Sequence, residues 1–125
     1  MRQSLGFTLL ELLIAIVVLT ILVAILTPNL IQARNRANDM ASSSYLRNCI
    51  TSLESLRDGL TGKLETIPAT CNDYAFGNAH QVLPDAVISS KIEFDVACDS
   101  YLVTVTSKTG RVFKHDGHTF VADNS

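Results

Sequence analysis

The sequence predicts an α+β protein in which one long N-terminal helix packs on an antiparallel sheet of three or four strands. Two patterns carry this prediction. The first half of the chain has helical periodicity and begins with an apolar run from Phe7 to Leu26. The last third alternates apolar and polar residues, which is typical of strands with one buried face. With 125 residues, the chain has room for one domain beyond the apolar run.

The apolar run has the length of a membrane span. Only Thr8, Glu11 and Thr20 are polar between residues 7 and 26. A helix of that length covers about 30 Å, the thickness of the hydrocarbon core of a bilayer. An acidic residue at the centre of such a helix costs about 3 kcal/mol, so Glu11 is interpreted as a functional residue that needs a positively charged partner.

Helical spacing continues beyond the apolar run. Pro28 is expected to bend or locally melt the helix, because proline removes a hydrogen bond and clashes with the preceding turn. Small or apolar residues then recur every three or four positions: Ala33, Ala37, Ala41, Tyr45, Cys49, Leu53, Leu56 and Leu60. Gly59 and Gly62 are candidate stops. The sequence therefore predicts a helix from Phe7 to about Asp58, with an amphipathic second half within residues 28–62.

Residues 63–125 are predicted to form a globular head of loop and sheet. An irregular loop fills residues 63–84, which contain prolines, glycine and asparagines. Four segments then have strand character: Ile88–Cys98, Tyr101–Thr106, Arg111–His115 and His118–Val121. Asp116-Gly117 predicts a two-residue hairpin turn between the last two. The helix stripe is expected to cover one face of this sheet.

Three cysteines, Cys49, Cys71 and Cys98, allow one disulfide and one free thiol. None has the C-x-x-C spacing of a zinc or redox site, so no metal is predicted. If the head lies outside the cytoplasm, a disulfide is expected. The Cys71–Cys98 pairing is favoured because it would tie a loop to a strand, while Cys49–Cys71 and Cys49–Cys98 remain open.

No pattern of catalytic residues stands out, and neither enzymatic activity nor a cofactor is predicted. His115, Asp116 and His118 are the best cluster for catalysis or metal binding, but three ligands on one hairpin without a fourth favour an exposed polar turn. His80 lies in the loop without a recognisable partner.

A nucleic-acid contact has limited support. The formal net charge of −2 does not suggest a general nucleic-acid binder. Lys108, Arg111 and Lys114 gather positive charge on one hairpin, and repetition along a filament could let them follow a phosphate backbone or bind a surface. A solvated edge that discourages strand aggregation is the favoured interpretation.

The start of the chain does not have the order of a secretory signal. In such a signal a cleavage site follows the apolar core, whereas the small residue here, Gly6, precedes it. The segment reads Gly6-Phe7-Thr8-Leu9-Leu10-Glu11-Leu12-Leu13. It closely resembles the processing site of type IV pilins, and the short leader and Phe7 resemble the type IVa branch. The resemblance covers about the first thirty-five residues.

The resemblance implies a fate for each N-terminal segment. A prepilin peptidase would remove residues 1–6 by cutting between Gly6 and Phe7, and Phe7 would then be N-methylated. Residues 7–27 would cross the bacterial inner membrane once and later form the filament core. Glu11 would meet the Phe7 amine of an adjacent subunit, which supplies the positive charge that it lacks.

The implied function is that of a structural subunit of a type IV pilus, a helical homo-oligomer on the cell surface used for motility, adhesion or DNA uptake. Implied partners are the assembly machinery of the inner membrane and an outer-membrane secretin. Two alternatives share the same N-terminus: a pseudopilin of a type II secretion system and a minor pilin that binds DNA or a surface. A plain membrane-anchored module, which would retain residues 1–6, is a third.

Overall fold

The computed structural model describes residues 6–77 and 82–123, and these contain one long helix and four strands. The helix α1 spans Leu9–Ser55, and a short 3-10 helix spans Tyr74–Phe76. The strands are β1 (Val87–Asp95), β2 (Ser100–Ser107), β3 (Val112–His115) and β4 (Phe120–Asp123). The chain divides into two compact units, Met1–Arg34 and Asn35–Ser125. The predicted α+β class, with a long N-terminal helix and an antiparallel sheet, is confirmed.

The helix begins two residues later and ends three residues earlier than the sequence predicts. Its start is set by Thr8, whose side-chain oxygen accepts a hydrogen bond from the backbone N–H of Glu11 at 3.2 Å. Pro28 lies inside the helix, which continues through it, so the alternative of local melting does not apply here. A bend at Pro28 stays a prediction.

The sheet is an antiparallel meander in the order β1-β2-β3-β4. The pairing of β1 with β2 shifts between Val87 and Ser89, and this irregularity reverses the inward and outward alternation. Val87 is therefore buried, whereas Ile88, an apolar position of the alternating pattern and so expected on the buried face, is 59 % exposed. Strand β1 also ends at Asp95, earlier than the predicted end at Cys98.

The predicted two-residue turn at Asp116-Gly117 is wrong. Strand β3 ends at His115, which pairs with Phe120, so four residues form the turn. The Asp116 carboxylate accepts hydrogen bonds from the backbone N–H of His118, at 2.9 Å, and of Thr119, at 2.6 Å. These bonds close the wider turn. Hydrogen bonds of this kind also hold the pKa of Asp116 below its usual range.

The core of the second unit lies between one face of α1 and the inner face of the sheet. It is built by Tyr45, Leu46, Cys49, Leu53, Leu64, Cys71, Val87, Ile92, Tyr101, Val103, Val105 and Phe113. The buried face of the helix begins at Ser42, whose hydroxyl donates to the carbonyl of Ala86 at 3.1 Å. The predicted stripe was wrong at both ends: Ala41 is exposed because its neighbour Ser42 faces the sheet, and Leu60 is exposed because it lies beyond the helix.

The disulfide joins Cys49 on α1 to Cys71 in the loop, and both residues are fully buried. Cys98 is free and exposed, so the favoured Cys71–Cys98 pairing is wrong. The reason is the early end of β1, which places Cys98 in an exposed turn. Cys71 is held under the sheet instead, where its backbone N–H donates to the hydroxyl of Ser90 at 3.1 Å.

We predict that Cys71→Ser lowers the free energy of unfolding by about 3 kcal/mol, because the bridge closes a loop whose ends lie 22 residues apart. Cys98→Ser is the matched control and is expected to change stability little. Urea unfolding of the full chain in detergent measures both. Peptide mapping after alkylation of free thiols should recover a Cys49–Cys71 linkage, and a linkage to Cys98 would contradict the assignment.

Candidate functional site

The N-terminal part of α1 presents a large apolar surface that the chain itself leaves uncovered. Every Leu, Ile and Val from Leu9 to Ile31 is exposed by 47 % or more. Within the described residues, this is the one helix long and apolar enough to cross a membrane. Apolar patches of this size are covered by lipid or by other protein in a working molecule.

The threonines in this surface do not interrupt its apolar character. The hydroxyl of Thr20 donates to the carbonyl of Val17 at 2.8 Å, and that of Thr27 donates to the carbonyl of Val23 at 2.7 Å. Their donors are thus satisfied inside the helix, as is common for threonine in apolar helices. Glu11 remains as the charged group of the segment.

Glu11 has two structural roles to be distinguished. It occupies the third position of α1, and Thr8 caps its backbone N–H, so Thr8-Leu9-Leu10-Glu11 has the S/T-x-x-E pattern of a capping box. A carboxylate in a first helical turn also interacts favourably with the helix dipole. This role of Thr8 is not among the expectations above, although the S/T-x-x-E pattern is present in the sequence. No ion pair of Glu11 occurs within the described residues.

Gly6 and Phe7 precede the helix and are both exposed. The bond between them therefore lies in a non-helical segment ahead of α1. The predicted leader also includes residues 1–5, which lie outside the described part of the chain.

A partly buried polar junction joins α1 to the turn between β2 and β3. The side chain of Asp39 is 15 % exposed, and it accepts hydrogen bonds from the hydroxyls of Ser107, at 3.0 Å, and Thr109. Arg111 pairs with its other oxygen at 3.3 Å. Burial by itself would raise the pKa of Asp39, but these hydrogen bonds outweigh it and hold the pKa below its ordinary value.

A second junction joins the end of α1 to the turn between β1 and β2. The Tyr101 hydroxyl donates to Glu54 at 2.5 Å, and Arg57 pairs with Glu54 at 2.5 Å and with Asp99 at 2.8 Å. Burial opposes ionisation of Glu54, yet the hydrogen bonds from Arg57 and Tyr101 lower its pKa overall. The two junctions fasten opposite ends of the same helix segment to the sheet.

The structure pairs two of the three predicted cationic contact residues with a carboxylate. Lys108 pairs with Asp85 at 2.5 Å, and Arg111 pairs with Asp39. Lys114 lies close enough to Glu93 to contribute to the lowered pKa of that residue, after the larger effect of Lys91. Lys108 and Arg111 are thus paired, whereas Lys114 has no ion pair within residues 6–77 and 82–123.

In the cluster of His115, Asp116 and His118, the side chains of His115 and Asp116 accept hydrogen bonds from the backbone of the turn between β3 and β4. The Nδ1 atom of His115 accepts the backbone N–H of Gly117 at 2.9 Å, and the Asp116 carboxylate is engaged as described. Across residues 6–77 and 82–123, no group of three or more His, Cys, Asp or Glu could hold a metal ion. His80 lies outside these ranges.

Two protein families match the chain. The Pilin A4 family matches residues 38–123, and the family described as the prokaryotic N-terminal methylation motif matches residues 1–27. Together they cover both the head and the apolar segment.

A curated relative and a solved structure agree with these matches. The type IV wide pilus major component PilA4 of Thermus thermophilus is 52 % identical over 50 residues, which are 40 % of this chain and 38 % of that protein. The match thus spans little more than a third of that relative. The TTHA1221 type IV pilin protein from Thermus thermophilus shares the fold, with a TM-score of 0.58, 24 % identity and coverage of 70 % of this chain and 99 % of its own.

The Asp39 junction predicts a defined acid sensitivity. Its folded-state pKa lies below the ordinary value of about 4, so its stabilising effect is complete above that value and is lost as pH falls through the folded-state pKa. We expect Asp39→Asn to lower stability at neutral pH and to make the loss of stability in acid shallower. Unfolding of the full chain measured from neutral pH downwards tests this.

Glu65→Gln is the matched control for this pH series, because Glu65 is exposed. It should leave both the neutral stability and the acid slope unchanged. An unaltered acid slope in Asp39→Asn would contradict the role of the junction.

Proposed function

This chain belongs to the Pilin A4 family, and we propose that it is a structural subunit of a type IV pilus, with a structural and not an enzymatic role. The observation that carries the proposal is the uncovered apolar surface of α1 from Leu9 to Ile31, which has one charged group, Glu11, at its start. Such a surface needs lipid around it before assembly and other subunits around it afterwards.

The physical basis of assembly follows from that surface. Lipid tails are as apolar as leucine, so moving the helix from membrane to filament core gains little from the hydrophobic effect. In water the same surface would be strongly unfavourable, at about 25 cal/mol for each Å² of apolar area. A filament core of bundled helices therefore holds together because dispersal into water is costly.

Cleavage between Gly6 and Phe7 would supply the positive charge that Glu11 lacks. It frees an amine at Phe7, and methylation of that nitrogen keeps its positive charge. Glu11 would pair with the amine of an adjacent subunit. In a dry core an unpaired charge is strongly destabilising, so the pair would select the axial register in which both charges meet.

The remaining steps follow from the same proposal. The precursor would be held in the bacterial inner membrane by residues 7–27, processed by the prepilin peptidase and passed by the inner-membrane assembly machinery through an outer-membrane secretin. The pilus would then act in motility, adhesion or DNA uptake. A structural role is favoured over DNA binding by Lys108, Arg111 and Lys114, because Lys108 and Arg111 are already paired with Asp85 and Asp39.

We predict that the filament protein begins at Phe7 and carries one N-terminal methyl group. Intact-mass measurement of purified filaments tests this directly. Gly6→Val, which adds a side chain beside the bond to be cut, should leave residues 1–6 attached and the subunit in the membrane. A filament subunit that still contains residues 1–6 would contradict the processing step and favour a plain anchored module.

We predict that Glu11→Gln prevents incorporation into filaments while the subunit still accumulates in the membrane. Glutamine keeps the capping pattern with Thr8 but removes the charge, so it separates the two roles of Glu11. Filament yield relative to membrane subunit gives the readout. Thr20→Ala, in the same apolar segment, is the control and should assemble normally. Normal assembly of Glu11→Gln would show that the charge is not required.

A further inference from the structure

The second compact unit has two chemically different ends along its helix. We define the proximal end by Arg36 and Asp39 of α1 with the β2–β3 turn. The distal end comprises Glu54 of α1 and Arg57 just after it, with the β1–β2 and β3–β4 turns. From Arg36 to Glu54 the helix extends about 27 Å at 1.5 Å per residue. The two ends are thus well separated.

The distal end is acidic and contains a cleft. Its carboxylates outnumber its cations: Glu54, Asp58, Asp95, Asp99 and Asp116 stand against Arg57 and Lys63. A cleft of about 430 Å³ opens between the two turns, and the residues that line it include Leu102 and the carboxylates Glu93, Asp95 and Asp116. An aliphatic side chain with carboxylates around it suits a long cationic side chain.

Asp95 is the carboxylate of this cleft that is available to a cation. Glu93 already pairs with Lys91 at 2.6 Å, and Asp116 holds its own turn. One oxygen of Asp95 accepts the backbone N–H of Ala97 at 2.9 Å. No ion pair of Asp95 occurs within the described residues.

Arg36 is the corresponding cation at the proximal end. It is exposed, and the described residues provide no ion pair or hydrogen bond for it. Asp39, one helical turn further on, is already occupied by Arg111, and Lys108 is occupied by Asp85. An exposed arginine and an exposed aspartate therefore remain without ionic partners at opposite ends of one unit.

We propose that Arg36 of one subunit docks into the distal cleft of a second copy of this chain and pairs with Asp95. The contact joins unlike surfaces, and such heterologous contacts extend into open helical polymers when they do not close into rings. The arginine stem would lie against Leu102 while the guanidinium meets the carboxylate. The inference rests on the proposed function, in which copies of this chain assemble into a filament.

The pairing is tested by reversing the charge of Arg36 or Asp95 alone and by exchanging the two charges in a double variant. Each variant replaces the cell's own copy of this gene. Arg36→Glu and Asp95→Arg are each expected to lower filament yield by about tenfold, in the range of close charge pairs at interfaces. The double variant Arg36→Glu with Asp95→Arg restores the attraction in reversed polarity and should recover most of the yield. Glu65→Arg is the matched control, because it makes the same charge change as Asp95→Arg at an exposed site outside the cleft.

The measurement is sheared filament protein relative to membrane subunit, detected by immunoblot of the full chain. If a reversal prevents accumulation in the membrane, Arg36→Gln and Asp95→Asn replace it and should still lower the yield. Single variants that assemble as the unmodified chain does, or a double variant that stays as defective as the singles, would overturn the pairing. Absence of this chain from the filaments of unmodified cells would instead overturn the proposed function.

Discussion

The structure depends on one constraint, the apolar surface of α1 from Leu9 to Ile31, which the chain cannot cover by itself. Intrahelical hydrogen bonds satisfy the backbone apart from the one that Pro28 cannot donate, and the threonine hydroxyls are satisfied within the same helix. The segment is therefore suited to any apolar surroundings, whether lipid or protein. Both proposed environments of the molecule follow from this property.

In the head, the sheet has to be held at a defined position on α1. Apolar packing of Leu46 and Leu53 stabilises the contact between helix and sheet, but the hydrophobic effect is not directional. The polar junctions at Asp39 and Glu54 add direction, because each requires specific donors at one end of the sheet. Together they fix where the sheet lies along the helix of this unit.

Sequence patterns predicted the features that are local. The helix, the strands and the family resemblance depend on short-range periodicity and on the residues from Gly6 to Glu11, and these can be recognised without tertiary contacts. The errors concern features set at long range. The irregularity at Ile88 and the four-residue turn at Asp116 depend on how strands pair, which a pattern of period two does not encode.

The cysteines illustrate the same limit within the head. Which two of them meet depends on the position of the loop under the sheet, and spacing along the chain does not determine that. The predicted stripe of buried helix residues was wrong for a related reason. Alanines at 33, 37 and 41 continue the spacing of the buried residues, yet the sheet meets the helix at Ser42, and an alanine can lie on either side of such a boundary.

The Cys49–Cys71 link also determines how the subunit responds to tension. A pull along the chain passes from α1 directly into the loop across a Cα–Cα distance of 5.4 Å. The intervening chain, about 75 Å long if fully extended, is thereby removed from the path that carries the load. A filament of such subunits would have little slack in this region when stretched, and its extensibility would rise under reducing conditions.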